Sequence, residues 1–500
     1  MLVFLLAGIL SPVLADEKQT LAAEPQVSPV NEIANWTYKY HFTESDNGQT
    51  KKITKNDLVM VSLGAVGKNT HWSLTSGDGV TVEDNATLPF TRNSKTYQWL
   101  FRADSIGTFP LTFRFSDADN PGNNRICIIT VKVNPLYRWK ITTVDNTTDN
   151  NRIKDGGLYT SLAIGSDGTP HISYYSAGWG GVRYATRNGD TWSLATVAGA
   201  IGTERTSIAL NPRTGEPTFL YSDSHIPGGH PDLWYASRTP GGWRYDRVTI
   251  KGFMPATPSP VFANEYSLRF DTSGGPHVAV ADYDYVTPGI KYIDGLEQGT
   301  IILSLQGGLD SYPRCHEPSL ALTSTNHPVI AFRNNGDYAD LVLIENKEDS
   351  TNPVTIVDAA QHWGDTGYFP SIAVDSHDNP HISYRNQNTH DASNNGLRYA
   401  SRNSSGKWSY ETVDQGDMDW TSLVLDRNDR EYISYEDHAA GSLKLASRDT
   451  PSDYWELQTV DTGNVGACTS IAINPVTGLP AISYHDGAHN ALKFAELVPG

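Results

Sequence analysis

The sequence predicts an all-β protein in which a front β unit precedes a seven-bladed β-propeller closed by its own N-terminal strand. Three observations carry this expectation. A serine-led apolar run, a turn and a second apolar run recur seven times in the last two-thirds of the chain, with Pro before the second run in six of the copies. The copies lie roughly 46 to 60 residues apart, the period of propeller blades rather than of helical solenoids. The segment Trp139-Lys140-Ile141-Thr142-Thr143-Val144-Asp145 matches the last strand of the later copies, although it stands before the first.

The clearest copies begin at Ser161, Ser371 and Ser470, and weaker ones at Ser207, Ser267, Ser319 and Ser422. In the fifth copy, Ser371 to Asp375 is the innermost strand and His381 to Tyr384 the second. Leu397 to Ser401 is the third and Trp408 to Val413 the outer one. Period-2 alternation between turn residues reads as antiparallel four-stranded sheets. The seventh copy stops after its third strand, so the Trp139 segment is expected to supply the fourth and remove an open edge. Residues 137–500 are assigned to this domain. The repeat resembles the propeller repeats of exported bacterial and archaeal proteins. More distantly it is similar to sialidase-like and polysaccharide-lyase propellers, without the aspartate-box turn of the former.

Residues 33–134 form a separate all-β unit. Its strongest stretches run from Tyr97 through Phe115 and from Ile126 to Val133, with Leu58 to Leu63 and Trp72 ahead of them. These resemble chagasin-type inhibitors of papain-like cysteine proteases, and the resemblance implies an immunoglobulin-like fold. It also implies three inhibitory loops, which fall on Lys68, Asn69, Thr70 and His71, on Arg92 and Asn93, and on Asp117. None of the three carries the family's loop sequence. The alternative is a structural or adhesive immunoglobulin-like module.

Residues 1–15 read as a signal peptide and 16–32 as a polar linker, so the protein is expected to be secreted or cell-surface associated. No further segment is long and apolar enough to span a bilayer. The net charge of −18 argues against nucleic acid as a partner. Three cysteines, Cys127, Cys315 and Cys468, allow one internal disulfide at most. Asn35, Asn85, Asn146 and Asn403 stand in glycosylation sequons.

In a propeller, the loops entering the inner strands and those joining second to third strands open on one face. Unusual residues gather there: His316, Arg333, Arg385, Glu436, His438 and His485, with Trp363 and Trp420. Arg333 and Arg385 suit bidentate contact with carboxylate or sulfate groups. The Asp or Asn that closes six of the seven second strands, with Ser176 in the first, reads as a turn cap rather than a ligand. His171, His277 and His381 share one repeat position and hence one structural task. No metalloprotease, nucleophile-elbow, phosphate-loop or paired-cysteine motif occurs. No cofactor is expected, with Ca2+ the one metal left open. The reading is a binding protein whose propeller face takes a glycan or an extracellular protein. The alternatives are a papain-like protease inhibitor acting through the front unit, and a propeller polysaccharide lyase or glycoside hydrolase.

Overall fold

A computed structural model describes residues 39–500. The exceptions are 78, 92–93, 147, 150–151, 154, 179, 199–204, 224–230, 251–258, 262, 283–288, 298, 307–314, 336–338, 346–353, 360–363 and 389–394. The expected signal peptide and linker, and residues 33–38 of the front unit, lie outside the described residues. Every regular element among them is a β-strand apart from two single 3-10 turns. None is a helix long and apolar enough to cross a membrane. The chain divides into two compact units, Met1–Arg138 with Pro499–Gly500, and Trp139–Val498.

The first unit holds β1 (Tyr40–Thr43), β2 (Thr50–Thr54), β3 (Leu58–Val66), β4 (Thr70–Ser76), β5 (Val80–Thr91), β6 (Ser94–Ala103), β7 (Gly107–Asp117) and β8 (Arg125–Asn134). They form two four-stranded sheets, ordered β1-β3-β6-β5 and β2-β8-β7-β4. Alternate residues of facing strands make one core: Val59, Val61 and Leu63 on β3, Trp99 and Phe101 on β6, Phe113 and Phe115 on β7, and Ile129 and Val131 on β8. The period of two in the sequence is thus the pleat of strands buried on one face. Trp72 is buried and its indole N–H donates to the Gly64 carbonyl at 2.9 Å.

The second unit is a succession of antiparallel four-stranded meanders. Their inner strands are Gly156–Ile164, Thr206–Leu210, Ala263–Phe270, Cys315–Leu322, Gly364–Val374, Met418–Leu425 and Val465–Ile473. We number the sheets first to seventh in that order. The fourth and fifth are linked by one parallel pair, Ala339 with Asp365. In the seventh, the strand beside Ala491–Pro499 is β9 (Tyr137–Asp145), from the start of the unit.

The recurring serine explains how neighbouring sheets are joined. Ser161 Oγ accepts the Ile208 N–H, Ser207 accepts Leu268, and Ser267 accepts Leu320. Ser319 accepts Ile372, Ser371 accepts Leu423, and Ser422 accepts Ile471. Ser470 accepts Leu162 and returns the series to its start. All seven bonds measure 2.9 to 3.2 Å. The outer-strand Asp is a second joint. Tyr174, Tyr384, Tyr435 and Tyr484 donate their hydroxyls to Asp145, Asp358, Asp414 and Asp461 of the preceding sheet, at 2.5 to 2.8 Å. Arg183, Arg398, Lys444 and Lys493 neutralise the same carboxylates. A buried carboxylate with a cation and a hydroxyl partner satisfies the requirement for compensated charge in a core.

Candidate functional site

The residue two positions before each serine lies at the inner-strand entry. In five sheets it is a non-glycine residue in the left-handed region: Tyr159 (φ 51°), Glu317 (57°), Phe369 (49°), Trp420 (52°) and Cys468 (55°). In each of these strands the pairing register shifts just before the serine, which marks a bulge. The neighbouring sheet holds some of the strained peptides: Thr206 Oγ1 donates to the Tyr159 carbonyl at 2.8 Å, and Thr421 Oγ1 to that of Phe369 at 2.9 Å. Bulky residues in this conformation are uncommon and gather where side chains must be aimed at a ligand. Here they line a cavity of about 170 Å³ with Arg205 and Tyr266, so that every sheet contributes to it.

The cavity has two chemically different sides. On one, Phe369 and Trp420 lie 4.5 Å apart between ring centroids, with Tyr159 5.8 Å from Trp420. On the other, Arg205 pairs with Glu317 at 2.8 Å and with Glu265 at 3.7 Å. Burial alone would raise the Glu265 carboxyl, but His316, Arg205 and the Glu317 N–H hold it below the usual range. The Arg205 guanidinium also sits over the Trp420 ring at 5.9 Å.

Tyr368 extends the aromatic side outward, 6.3 Å from Phe369. Its ring lies under two guanidiniums, Arg333 at 3.7 Å and Arg385 at 5.7 Å. The phenol donates to Asp365 at 2.9 Å. Burial and this bond raise its pKa, so Tyr368 keeps its proton. Beyond it, Arg385 is paired with Asp419, and with Asp417 at 3.0 Å. Asp419, Glu436 and His438 bring three potential ligand atoms within 4.8 Å of one another. Burial raises both carboxyls, more than Arg385 and His438 lower them, and Asp417 adds like charge. Arg385 already supplies the positive charge that a metal would bring to Asp419.

Arg333, Arg385, Glu436 and His438 of the sequence-derived set thus fall into one cluster, with Trp420 at the cavity. His316 faces Glu265 at 3.5 Å, and His485 is paired with Asp155 at 3.0 Å, each in a different sector. Trp363 lies outside the described residues. Arg333 and Arg385 are not available as bare cations: Asp365 stands 3.9 Å from the first, and two aspartates hold the second. Tyr159, Arg205, Glu265, Tyr368 and Phe369 escape the sequence reading. Aligning the repeats on their serines and reading two positions back finds four of these, because a structural repeat leaves only its functional column free to vary. At the other end of the strands, His171 and His277 bond Tyr184 and Tyr292 hydroxyls at 2.6 and 2.7 Å, and His381 bonds Tyr399.

In the front unit, Thr70 and His71 stand on β4 rather than in a loop, and the turn before them at Lys68 and Asn69 is tied to the loop after Asp117. Asn69 donates to Asp119 at 2.8 Å, and Asp117 accepts the N–H groups of Asp119 and Asn120 at 3.1 Å. Thr70 is buried and its hydroxyl donates to Gly67 at 2.8 Å. Arg92 and Asn93 lie outside the described residues, between strand ends that pair Thr91 with Ser94.

No family model matches the chain, and no curated protein matches it. Among solved structures, polysaccharide lyase Uly1 is 8% identical over 71% of this chain and 94% of its own, with a TM-score of 0.47. The virginiamycin B lyase of Staphylococcus aureus is 11% identical over 73% and 100%, with a TM-score of 0.45. The cysteine protease inhibitor EhICP2 from Entamoeba histolytica is 15% identical over 19% and 95%, with a TM-score of 0.17. Likeness at this level carries nothing about the chemistry of the site.

Proposed function

We propose that residues 137–500 form a seven-bladed β-propeller closed by β9, and that its axial face binds a glycan. The cycle of serine bonds supports the ring, since each serine reaches one sheet on and the last reaches the first. In this reading residues 1–15 direct export and the protein is secreted or held at the cell surface. Residues 33–134 are an immunoglobulin-like module serving as a spacer or a second contact.

The observation that carries the binding role is the run of four aromatic rings, Tyr368, Phe369, Trp420 and Tyr159, flanked by Arg333, Arg385 and Arg205. All four rings are half-buried, so one part of each is held while another remains open to solvent. Sugar rings offer C–H faces to aromatic surfaces and hydroxyls to fixed, charged hydrogen-bonding groups. An apolar surface with a few placed polar groups is the general composition of small-molecule sites. Retention on a glycan array tests the reading. Tyr368→Ala and Trp420→Ala should each lower affinity about tenfold, the loss of ~1.4 kcal/mol of stacking. His277→Ala, at the other end of the strands, should leave retention unchanged. Equal retention by all the variants would refute the assignment of the face.

Glu436 favours a hydrolytic second reading. A buried carboxyl of raised pKa beside another carboxyl is what a general acid in glycoside hydrolysis requires. Release of reducing ends from a retained glycan, lost in Glu436→Gln, would establish it.

A further inference from the structure

At the other end of the strands, the repeat builds a lock between neighbouring sheets, and one copy of that lock lacks its acid. Four third strands carry an arginine stacked over the following outer-strand tryptophan. These are Arg187 over Trp192 (5.8 Å), Arg238 over Trp243 (5.7 Å), Arg402 over Trp408 (5.6 Å) and Arg448 over Trp455 (4.3 Å). Three of the four hold carboxylates. Arg187 is bidentate to Glu496 of the preceding sheet at 2.6 and 2.9 Å. Arg402 is bidentate to Glu345 of its preceding sheet, both bonds at 2.6 Å. Arg448 takes Glu411 of the preceding sheet at 2.7 Å and Glu431 of its own.

Arg238 is the exception. Strand register gives the residues that stand where those acids stand. Glu345 and Glu496 pair with the residue that follows the second-strand proline, and in the first sheet that partner is Thr186. Glu411 lies opposite Tyr399, and its counterpart opposite Tyr184 is Ala195. Glu431 opens its second strand, where the second sheet has Pro217. None of the three is acidic, and Arg238 has no ion pair among the described residues. All three line a cavity of about 540 Å³ together with Arg238 and Trp243. Two other acids line it. Asp167 is committed to the N–H and hydroxyl of Thr169, both at 2.9 Å, while Glu216 sits one residue before Pro217. His171 on the same wall is bonded to Tyr184.

We propose that this cavity binds a small molecule through a carboxylate seated on the Arg238 guanidinium, in the place that Glu345 and Glu496 fill for their own arginines. A planar guanidinium on an aromatic face is preorganised for bidentate carboxylate contact. The site is independent of the axial face. Calorimetric titration of the full chain with glucuronate and with benzoate tests it and separates a sugar acid from an aromatic acid, with glucose and benzyl alcohol as uncharged controls. At least one acid should bind while both controls fail. Arg238→Ala should weaken that binding about tenfold or more, and Glu216→Gln should strengthen it by removing a competing charge. Thr186→Glu should restore the internal lock, abolish binding and raise the melting temperature. Uptake of neither acid by the unmodified protein, or equal uptake by Thr186→Glu, overturns the proposal.

Discussion

Glu431 and Glu436 stand on one strand, both almost fully buried, and their environments push them in opposite directions. Burial alone would raise Glu431, but His381, Arg448 and Tyr399 outweigh it and hold the carboxyl below its usual range. A depressed carboxyl contributes stability that is present above the unfolded value near 4.5 and is lost as pH falls through the lower folded value. Glu431→Gln should therefore cost about 2 kcal/mol near neutral pH, the loss of a buried charge-assisted bond to Arg448, which keeps only Glu411, and should flatten the acid limb of a melting series. For Glu436 the sign reverses. Its carboxyl is raised, so the ionised form is a cost that grows as pH rises through the folded value. Glu436→Gln should leave the melting temperature at about pH 7 unchanged or higher, the pattern of a group kept for function rather than stability. Thermal melts of both variants between about pH 3 and 8 check the pair. A drop at neutral pH for Glu436→Gln would make it a structural residue.

The three cysteines are free and buried, so the single disulfide that their number allows does not form within the chain. Burial pushes Cys127 and Cys315 up to about 11, and Cys468 to about 12. Thiols of that kind are inert, because the thiolate is the reactive form. Iodoacetamide at about pH 8 should label none of them until guanidinium unfolds the chain. Rapid labelling of Cys468 alone would show that the cavity it lines admits reagents.

At the level of elements, β9 carries more than a fourth set of ladder bonds. Its Asp145 is the buried acceptor for the Tyr174 hydroxyl and the partner of Arg183 in the first sheet. A chain starting at residue 146 should be at least ~3 kcal/mol less stable than one starting at 136, because it loses the carboxylate that the buried Arg183 and the Tyr174 hydroxyl share. An equal melting temperature would separate β9 from closure. The serine column, the proline turn and the T-V-D strand endings are legible in the sequence because each of seven junctions needs the same bond. Trp420 is legible by residue type. Tyr159, Phe369 and Arg205 are not legible by residue type, and emerge only when the repeats are aligned on their serines and read two positions back. The front-unit loops show the opposite limit. Their position at one end is legible from the framework, whereas the bonds linking Asn69 to Asp119 and Asp117 to its own turn appear only in three dimensions. With these groups spent on one another, the full chain should leave papain uninhibited at micromolar concentration. Tight inhibition would return the front unit to the protease-inhibitor reading.

For the whole molecule, charge bears on what kind of ligand the proposed axial face would take. The chain carries a net charge of −18, and the arginines of this face do not locally reverse it. Arg205 is paired with Glu317, Arg333 stands beside Asp365, and Arg385 is held by Asp417 and Asp419. Such a face generates little positive field to draw a polyanion from solution, which differs from the acid-seeking arginines that the sequence suggests. In the proposed binding role, the energy would come instead from aromatic stacking and from hydrogen bonds that the ion-paired groups keep in place. Contacts of that type are short-ranged, and salt at ordinary strength screens charges over about 8 to 10 Å while leaving them intact. Affinity for a retained glycan should therefore change by less than about twofold when NaCl rises from about 0.05 to 0.5 M. Neutral glycans should be held at least as well as uronate-rich ones. A fall of about tenfold or more over that range, with acidic glycans preferred at low salt, would mean that a ligand breaks the Arg333 and Arg385 pairs and takes the guanidiniums for itself.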